Sequence, residues 1–564
     1  MSTNINADKR EFTITSIILG IIISLIFGAA NAYLGLRVGL TISASIPAAV
    51  VSMGVLRFVM RRDSILENNM VQTIGSAGTS IVSGSVFTMP ALYLWAEEGL
   101  CAPPGFVQLT IIALCGSVLG VLLMVPVRRP FIVDEDKTLA YPEGRACAEV
   151  LRAGENGAKQ SRDVFIGVAV AVLVKLITDV FKWLPAVKTF KFTKLRGEMG
   201  VELSSALIGV GYIVGPKVST LVFVGSILGW MVLIPLFCLF SEQAAACYDH
   251  GGATAVWKNY IRYVGAGAIA TGGIISLFKT IPTVVSAFRE AFSLKVSSEK
   301  DDKADISLKK VIPGVIATIL IIALVPQVPV GILGALLIAL FGFFFAIVSS
   351  RMVGLVGSSN NPISGMTIVT LVISALVLKT CGVAGAAGMV AAIAVGSLVC
   401  IIASLAGDTA QDLKTGWMLG ATPWKQQIGE LIGAGSAAFM VAVVLLLLHK
   451  AWGFGSDEIS APQAMLMKSV TEGIMQGTLP WGLLLMGCGI AGVIALLRLP
   501  VMPCALGIYL PIKLNMTIFI GGMLRVLFEK YLPTQAPRGT LFSAGMIAGE
   551  GIAGIVLALI TVLV

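Results

Sequence analysis

The sequence predicts an all-α polytopic membrane protein with about sixteen membrane-spanning segments, in two related halves with broken or re-entrant helices. Of its 564 residues, 56% are hydrophobic and only 13% are charged, and the mean hydropathy is +0.92. A soluble domain carries about 25% charged residues. The 62 glycines suit helices that pack closely in a bilayer. The net charge of +9 lies mostly in short loops, where it orients the chain, so we expect no nucleic-acid partner.

The chain has few of the groups that enzymes and metal centres use. Nine cysteines are scattered without a CxxC pair, and the two histidines, His250 and His449, lie in different segments. Neither an HExxH nor a GxxxxGK[ST] motif occurs. We therefore expect no enzyme, no metal site, no cofactor and no ATPase in this chain, so that any pumping depends on an ion gradient or on a partner.

The first two apolar runs, residues 14–36 and 41–60, predict a membrane hairpin. Lys9 and Arg10 precede it, and a basic pair follows it at residues 61–62. Basic loop residues favour the cytoplasmic side of a membrane. We therefore expect a cytoplasmic N-terminus.

Residues 63–95 have a helical pattern but are unusually polar. Ser64 and Glu67 have the spacing of a capping box, so Glu67 has two interpretations. It is either a helix cap at the membrane boundary or an ionisable group on a transport path. The amides that we expect to face a substrate in this segment are Asn68, Asn69 and Gln72.

Further apolar runs extend to the end of the first half. They cover residues 107–127, 163–183, 201–240 and 261–278. The polar loop 128–162 begins with two arginines, which place it in the cytoplasm. The basic patch 188–196 does not fit a simple count of spans, and its side of the membrane stays open.

An internal repeat divides the chain. VGLTISASIP (38–47) and VGLVGSSNNP (353–362) match at five of ten positions, all with an offset of 315. We expect an N-terminal transmembrane half (1–294), a charged cytoplasmic linker (295–310) and a C-terminal transmembrane half (311–564). Transporters built from repeats bind their substrates where the repeats meet, so both copies are candidate site segments.

The second copy of the repeat is the most polar interruption of an apolar region. Pro362 lacks a backbone donor and biases Asn361 away from helical angles. Broken helices persist in a bilayer only inside protein or beside a water-filled cavity. We predict a break that lines a substrate path through Ser359, Asn360 and Asn361.

Charged residues in or beside apolar runs are further candidates. Glu550 lies within the last apolar run, where it is either a proton carrier or a structural ion-pair or helix-end group. Asp408 and Asp412 share a face if their segment is helical, but a solvated loop is an equal alternative. Arg37 and Arg351 each lie beside one copy of the repeat.

Six segments spread over the chain carry a family resemblance: NAYLGLRVGLTISASIPAAV (31–50), ENNMVQTIGSAG (67–78), TLAYPEGRACAEVL (138–151), SSNNPISGMT (358–367), GDTAQDLKTG (407–416) and AGEGIAGI (548–555). In these segments the chain resembles the oligopeptide transporter (OPT) family, in its prokaryotic branch near the yellow stripe-like metal-chelate transporters. The resemblance implies about sixteen spans and proton-coupled uptake into the cytoplasm. It implies small peptides, glutathione-like molecules or metal chelates as substrates.

We therefore expect a proton-coupled importer that works by alternating access in a bacterial plasma (inner) membrane. The alternative is a passive channel or facilitator for small polar solutes. The substrate, sodium in place of protons, and a homo-oligomeric state stay open. The proton-coupling candidates are Glu550, Asp408 and Glu67. The substrate-binding candidates are Arg37, Asn68, Asn69, Gln72, Arg351, Ser359, Asn360 and Asn361.

Overall fold

The structure is a computed structural model that describes most of the chain. The described residues are 10–61, 64–152, 157–269, 271–272, 275, 305–358, 361, 363–477 and 481–563. Within them the chain is almost entirely helical, which agrees with the all-α membrane class. Two of the predicted site residues, Ser359 and Asn360, lie outside the described residues, as does most of the linker 295–310.

Apolar runs, capped by small polar residues or glycine, form the helices. In the first part of the chain these are α1 (Ile14–Val38), α2 (Ser45–Gly54), α3 (Ile65–Val86), α4 (Pro90–Glu97), α5 (Phe106–Arg128), α6 (Pro142–Arg152), α7 (Gly157–Lys175), α8 (Ser205–Val214), α9 (Pro216–Ile227), α10 (Ile234–Phe240), α11 (Glu242–Val256) and α12 (262–269). In the second part they are α13 (Leu308–Leu324), α14 (Gly331–Val356), α15 (Ile363–Thr380), α16 (Gly385–Leu419), α17 (Pro423–Trp452), α18 (Pro462–Gln476), α19 (Trp481–Leu496), α20 (Val501–Tyr509), α21 (Ile512–Tyr531) and α22 (Ala536–Leu563).

Eight helical segments among the described residues are long and apolar enough to cross a membrane. They are Ile14–Val38, Phe106–Asp134, Pro216–Phe240, Gly331–Leu355, Ile363–Thr380, Gly385–Leu419, Pro423–Trp452 and Pro533–Leu563. Three shorter apolar segments are Ser45–Arg57, Ser205–Val214 and Trp481–Leu496. A multi-pass membrane protein follows from these helices. The total of about sixteen spans stays a prediction.

The helices form two compact units, each built from separate stretches of the chain. The first unit comprises Met1–Arg162, Thr280–Gln476 and Ile555–Val564. The second comprises Asp163–Lys279 and Gly477–Gly554. Each unit therefore contains segments from both predicted halves.

The basic patch 188–196 lies in a β-hairpin that the all-α prediction did not include. β1 (Val187–Phe192) pairs antiparallel with β2 (Gly197–Glu202), so that Phe190 faces Met199 across the register. In β1, VKTFKF, four of six residues are β-branched or aromatic, which favours a strand. Arg196 closes the turn with a φ of 54°.

Both copies of the repeat are breaks between helices, as predicted. In the first copy, α1 ends at Gly39, whose φ of 70° belongs to the left-handed region that glycine tolerates. The side chain of Asn31 then secures the exposed backbone of Ile42. Its amide donates to the Ile42 carbonyl at 3.1 Å, and its carbonyl accepts from the Ile42 N–H at 3.0 Å. The amide side chain thus replaces the helical hydrogen bonds that the break removes.

In the second copy, α14 ends at Gly357, with a φ of 83°. The side chain of Asn361 contacts the preceding helix α14, where its amide nitrogen donates to the Ser349 hydroxyl at 2.7 Å. An asparagine therefore ties each break to the helix that precedes it. Asn361 has at least this structural role at the break.

The long helix α16 lies at the centre of the first unit, and 94% of its most apolar stretch is buried. Glycines let its neighbours come close. A Cβ at Gly84 of α3 would lie 2.5 Å from the Cα of Ile401 on α16. A Cβ at Gly433 of α17 would lie 2.1 Å from the Ile74 carbonyl oxygen of α3. These close contacts fix α3 against α16 and α17.

Candidate substrate and ion site

Asp408 and Asp412 lie on α16, which is continuous through this polar stretch to Leu419. The solvated-loop alternative is therefore wrong, and the helical interpretation is confirmed. The two carboxyl groups are one turn apart on one face. Asp412 is fully buried, and Asp408 keeps part of its surface accessible.

Donors from α2 and α3 hold Asp412. The amide nitrogen of Gln72 donates to its Oδ1 atom at 2.5 Å, and the Ser45 hydroxyl donates to the same atom at 3.1 Å. Ser45 also contacts the Ser76 hydroxyl at 2.8 Å. Ser45 begins α2, so the first break and the polar helix α3 meet at this carboxylate.

Asp408 makes the equivalent contact one turn earlier. The Ser80 hydroxyl of α3 donates to its Oδ2 atom, and the Ser358 hydroxyl lies beside the same carboxyl group. Ser358 belongs to the second break. The structure therefore brings Gln72 and Ser80 of α3, and Ser358 of the second break, to carboxyl groups on the same face of α16.

Glu430 completes the cluster, and the sequence analysis gave it no role. It lies in the second turn of α17, is fully buried, and has its carboxyl group beside the Asp412 carboxyl group and the Thr409 hydroxyl. The available signal was its position, two turns after Pro423 and directly before a long apolar run. An ionisable group at such a place needs a partner.

Asn68 and Asn69 are buried on α3 but differ in their contacts. Asn68 accepts a hydrogen bond from the Ser52 hydroxyl at 2.7 Å and donates to the Ser64 carbonyl at 3.1 Å. It therefore ties α3 to α2. The amide of Asn69 makes no hydrogen bond with the described residues, which leaves it available to a ligand.

Glu67 lies at a helix start and is also buried. Ser64 is the N-cap of α3, and its hydroxyl accepts from the Glu67 N–H at 3.4 Å. The Thr13 hydroxyl donates to the Glu67 carboxylate. Ser64 therefore caps α3, and the Thr13 contact joins the start of α3 to the start of α1.

The two arginines of the repeat lie on the helices that precede the breaks. Arg37 lies in the last turn of α1, with its guanidinium 5.5 Å from the ring centre of Tyr33. Arg351 of α14 is paired with Glu135 at 2.9 Å and lies over the ring of Phe131. Their substrate-binding role stays a prediction.

Glu550 belongs to the second unit and stabilises the start of α8. Its carboxylate accepts from the Ser204 hydroxyl at 2.7 Å and from the Ala206 N–H at 2.8 Å. Ser204 is the N-cap of α8, and an anion is favoured at a helix N-terminus. The helix-end interpretation explains its burial, and its proton-coupling role stays a prediction.

A polar layer closes one end of the cluster in the first unit. Lys414, fully buried on α16, donates to Asp136 at 2.6 Å and to the Ile132 carbonyl at 2.7 Å. Arg145 of α6 also pairs with Asp136, at 2.5 Å. The hydrogen bond from Lys414, together with the charges of Lys414 and Arg145, holds the pKa of Asp136 below its usual range, although partial burial opposes this.

The α6 region is packed inside the unit. Tyr141 donates its N–H to the Gly354 carbonyl at 2.8 Å and its hydroxyl to the Ser350 carbonyl at 3.1 Å. The Gly144 N–H donates to the Gln411 side chain at 2.8 Å. The segment 142–152 of the predicted polar loop is therefore a helix whose buried face contacts α16 and α2.

The described residues contain no group of three or more histidine, cysteine, aspartate or glutamate side chains placed to hold a metal ion. The cluster instead presents carboxyl, hydroxyl and amide groups. Such groups bind and release protons, or form hydrogen bonds with a polar ligand. They contain no nucleophile and base in an arrangement for covalent catalysis.

Comparison with known proteins identifies relatives along the whole chain. Residues 11–561 match the model of the OPT oligopeptide transporter protein family. A Haemophilus influenzae protein with the provisional name oligopeptide transporter is 35% identical, over 94% of this chain and 92% of that protein. The Arabidopsis thaliana metal-nicotianamine transporter YSL3 is 22% identical over 96% and 90%. The Oryza sativa iron-phytosiderophore transporter YSL15 is 21% identical over 82% and 76%.

Proposed function

This chain belongs to the oligopeptide transporter (OPT) family, and we propose that it imports small peptides or metal chelates together with protons, by alternating access. One observation carries the proposal. Two helix breaks and the polar helix α3 converge on the carboxyl groups of Asp408 and Asp412 in the interior of one unit. Buried ionisable groups beside broken helices are a feature of ion-coupled transporters.

The proposed cargo fits the groups that surround the carboxyls. A peptide or an amino-acid-derived chelate presents ammonium, amide and carboxylate groups, which require donors and acceptors together. Carboxyl groups supply acceptors, and Asn69 and the hydroxyls beside α16 supply donors. The names of the relatives include both oligopeptides and metal-nicotianamine as cargo.

The order of the helices supports the proposed duplication. Shifted by the offset of the repeat, α1 and α2 correspond to α14 and α15, α5 corresponds to α17, and α6 to α18. Along the chain, segments of the first unit and the second unit alternate twice. This is the order that a duplicated ancestor of two parts would leave.

The polar layer around Asp136 and Lys414 is proposed as the closed cytoplasmic side of the path. Arg128, which marks the cytoplasmic loop, pairs with Asp305 at 2.6 Å, and Arg351 pairs with Glu135. Lysines and arginines on loops favour the cytoplasm. The proposed outward-to-inward transition then separates Glu135 from Arg351 on α14, and Asp136 from Lys414 on α16.

Reconstituted liposomes test the function. With an inward proton gradient, we expect the wild type to accumulate dialanine or iron-nicotianamine above the external concentration. Asp408→Asn keeps the shape of the side chain but removes the ionisable group, and we expect it to lose accumulation. Asp457→Asn, at an exposed loop position, is the matched control and keeps it.

Other outcomes of this experiment are informative. Accumulation that follows a sodium gradient and ignores pH would reject proton coupling. Uptake that only equilibrates would favour the passive facilitator. Accumulation by Asp408→Asn at the wild-type level would remove Asp408 from the coupling mechanism.

A further inference from the structure

Glu430 is buried without the donors that an anion needs. Its residue surface is 0% exposed, and neither carboxyl oxygen accepts a hydrogen bond of normal geometry from the described residues. Burying a carboxylate in this way costs several kcal/mol. Asp412 and Asp408 differ from Glu430 in this respect. The Oδ1 atom of Asp412 accepts hydrogen bonds from Gln72 and Ser45, and the carboxylate of Asp408 accepts one from Ser80.

The atoms that remain without partners around Glu430 are oxygens. They are the second carboxyl oxygen of Asp412, the hydroxyl of Thr409, the side-chain carbonyl of Gln72 and both oxygens of Glu430. All four residues are fully buried. Thr409 and Asp412 both face the Glu430 carboxyl group. Of these groups only the Thr409 hydroxyl carries a hydrogen, so the facing Asp412 and Glu430 carboxyl groups have no donor for each other unless one of them is protonated.

Nearby cations do not supply the missing charge. Lys414, two residues after Asp412, donates to Asp136 and the Ile132 carbonyl. Lys425, one turn before Glu430, pairs with Glu11 at 2.9 Å. The other charged groups on neighbouring elements also have partners of their own, namely Glu67 with Thr13, and Arg128 with Asp305. Asp408 and Glu143 add only negative charge to this region.

We propose that Asp412 and Glu430 share a single proton and that this pair holds the proton that is transported. Two carboxyl groups in direct contact cannot both ionise at little cost, whereas one O–H donated to the other carboxylate satisfies both. That this proton is transported rests on the proposed function, whereas the sharing of the proton depends only on this geometry. Asp408, one turn away and partly accessible, is the group through which the proton reaches the pair.

Infrared spectroscopy of the purified full-length protein tests the shared proton directly. A protonated carboxyl group has a carbonyl stretching band that a carboxylate lacks. At neutral pH we expect Glu430→Gln to lose the intensity of one protonated carboxyl, and Asp412→Asn to lose the same. The double variant loses one and not two, because the pair holds one proton. Glu529→Gln, at a half-exposed surface pair with Arg525, leaves the band unchanged.

Several results would overturn the inference. An unchanged band in both single variants means that the pair is ionised. A double variant that loses two carboxyls means that each group holds its own proton. A wild-type band that disappears when sodium chloride is added at constant pH means that the pair binds sodium. Thr409→Val, which removes a neutral neighbour, provides a folded comparison if either acidic variant is unstable, and we expect it to keep the band but shift its frequency.

Transport measurements separate this inference from the proposed function. If wild-type liposomes fail to accumulate dialanine or iron-nicotianamine while the band behaves as expected, the shared proton stands and proton-coupled import fails. If the wild type accumulates substrate and Glu430→Gln does so equally well, import stands and the pair is not the coupling site.

Discussion

The contact between Lys414 and Asp136 offers the sharpest test of what holds the polar layer together. We expect Lys414→Met, which keeps the length of the side chain, to destabilise the first unit. It removes the 2.6 Å hydrogen bond to Asp136 and the 2.7 Å bond to the Ile132 carbonyl. Asp136 keeps its ion pair with Arg145, so the variant does not leave the Asp136 carboxylate unpaired.

The size of this effect follows from burial. Breaking a fully buried ion pair costs about 3–5 kcal/mol, and an exposed pair contributes about 0.2–1 kcal/mol. The Lys414 side chain is 0% exposed, but that of Asp136 is 33% exposed. We therefore expect a coupling free energy of about 2 kcal/mol between Lys414→Met and Asp136→Asn, within the range of hydrogen bonds to charged groups.

A double-mutant cycle measures this coupling from the free energy of unfolding in mixed detergent micelles. The surface pair of Arg525 and Glu529 is the matched control, with an expected coupling of roughly 0.3–0.5 kcal/mol. If the effects of Lys414→Met and Asp136→Asn add to within about 0.5 kcal/mol, the contact does not hold the layer closed.

The coupling also has a defined pH dependence. The pKa of Asp136 is lower in the folded protein than the ordinary value of about 3.9, because Lys414 and Arg145 favour its anion. The stabilisation is therefore complete above about pH 4 and is lost as the pH falls through the lower folded value. A coupling energy that disappears between pH 7 and pH 5 would contradict this assignment.

Three further predictions concern the helices around the site. Gly433→Ala forces a Cβ against the carbonyl of α3, so we expect a lower melting temperature, whereas Gly435→Ala, whose nearest neighbour is 4.0 Å away, changes little; equal melting temperatures would refute the close packing. Asn31→Ala removes two hydrogen bonds at the first break, and we expect its free energy of unfolding to be about 2 kcal/mol lower in the same assay. An unchanged free energy of unfolding would show that these hydrogen bonds do not stabilise the break. Glu550→Gln weakens the cap of α8 by about 1 kcal/mol but keeps proton-driven uptake in liposomes; lost coupling in a stable variant would restore its role as a proton carrier.

The class of fold and the helix breaks were predictable because they depend on local chemistry. A composition that is poor in charge indicates a membrane protein. Gly39 and Gly357 permit the positive φ values at which the helices end, and proline at position 362 lacks a backbone donor. The spacing of Asp408 and Asp412 likewise predicts a shared face. These signals lie within a few residues of the feature that they predict.

The contacts that decide the state of the charged residues were not predictable. Lys414 suggested a solvated loop, but it is buried because Asp136, 278 residues earlier, supplies its partner. The burial of the Glu550 carboxylate is explained by the hydroxyl of Ser204, which is 346 residues away in the sequence. Local sequence shows a charge but not its distant partner, so Glu430 was given no role.

The β-hairpin shows the opposite case. Its first strand, VKTFKF, carries the β-branched and aromatic residues typical of strands, but in the sequence the basic patch 188–196 only failed to fit a simple count of spans. The strand tolerates its two lysines because every residue of β1 after Val187 is exposed, so their charges need no burial.

Simultaneous measurement of proton and substrate flux tests the central claim most directly. Liposomes that contain a pH-sensitive dye are given dialanine or iron-nicotianamine outside. We predict that substrate uptake by the wild type acidifies the interior, and that Asp408→Asn and Glu430→Gln lose this acidification while Asp457→Asn keeps it. Uptake of substrate without any proton movement in the wild type would contradict the account.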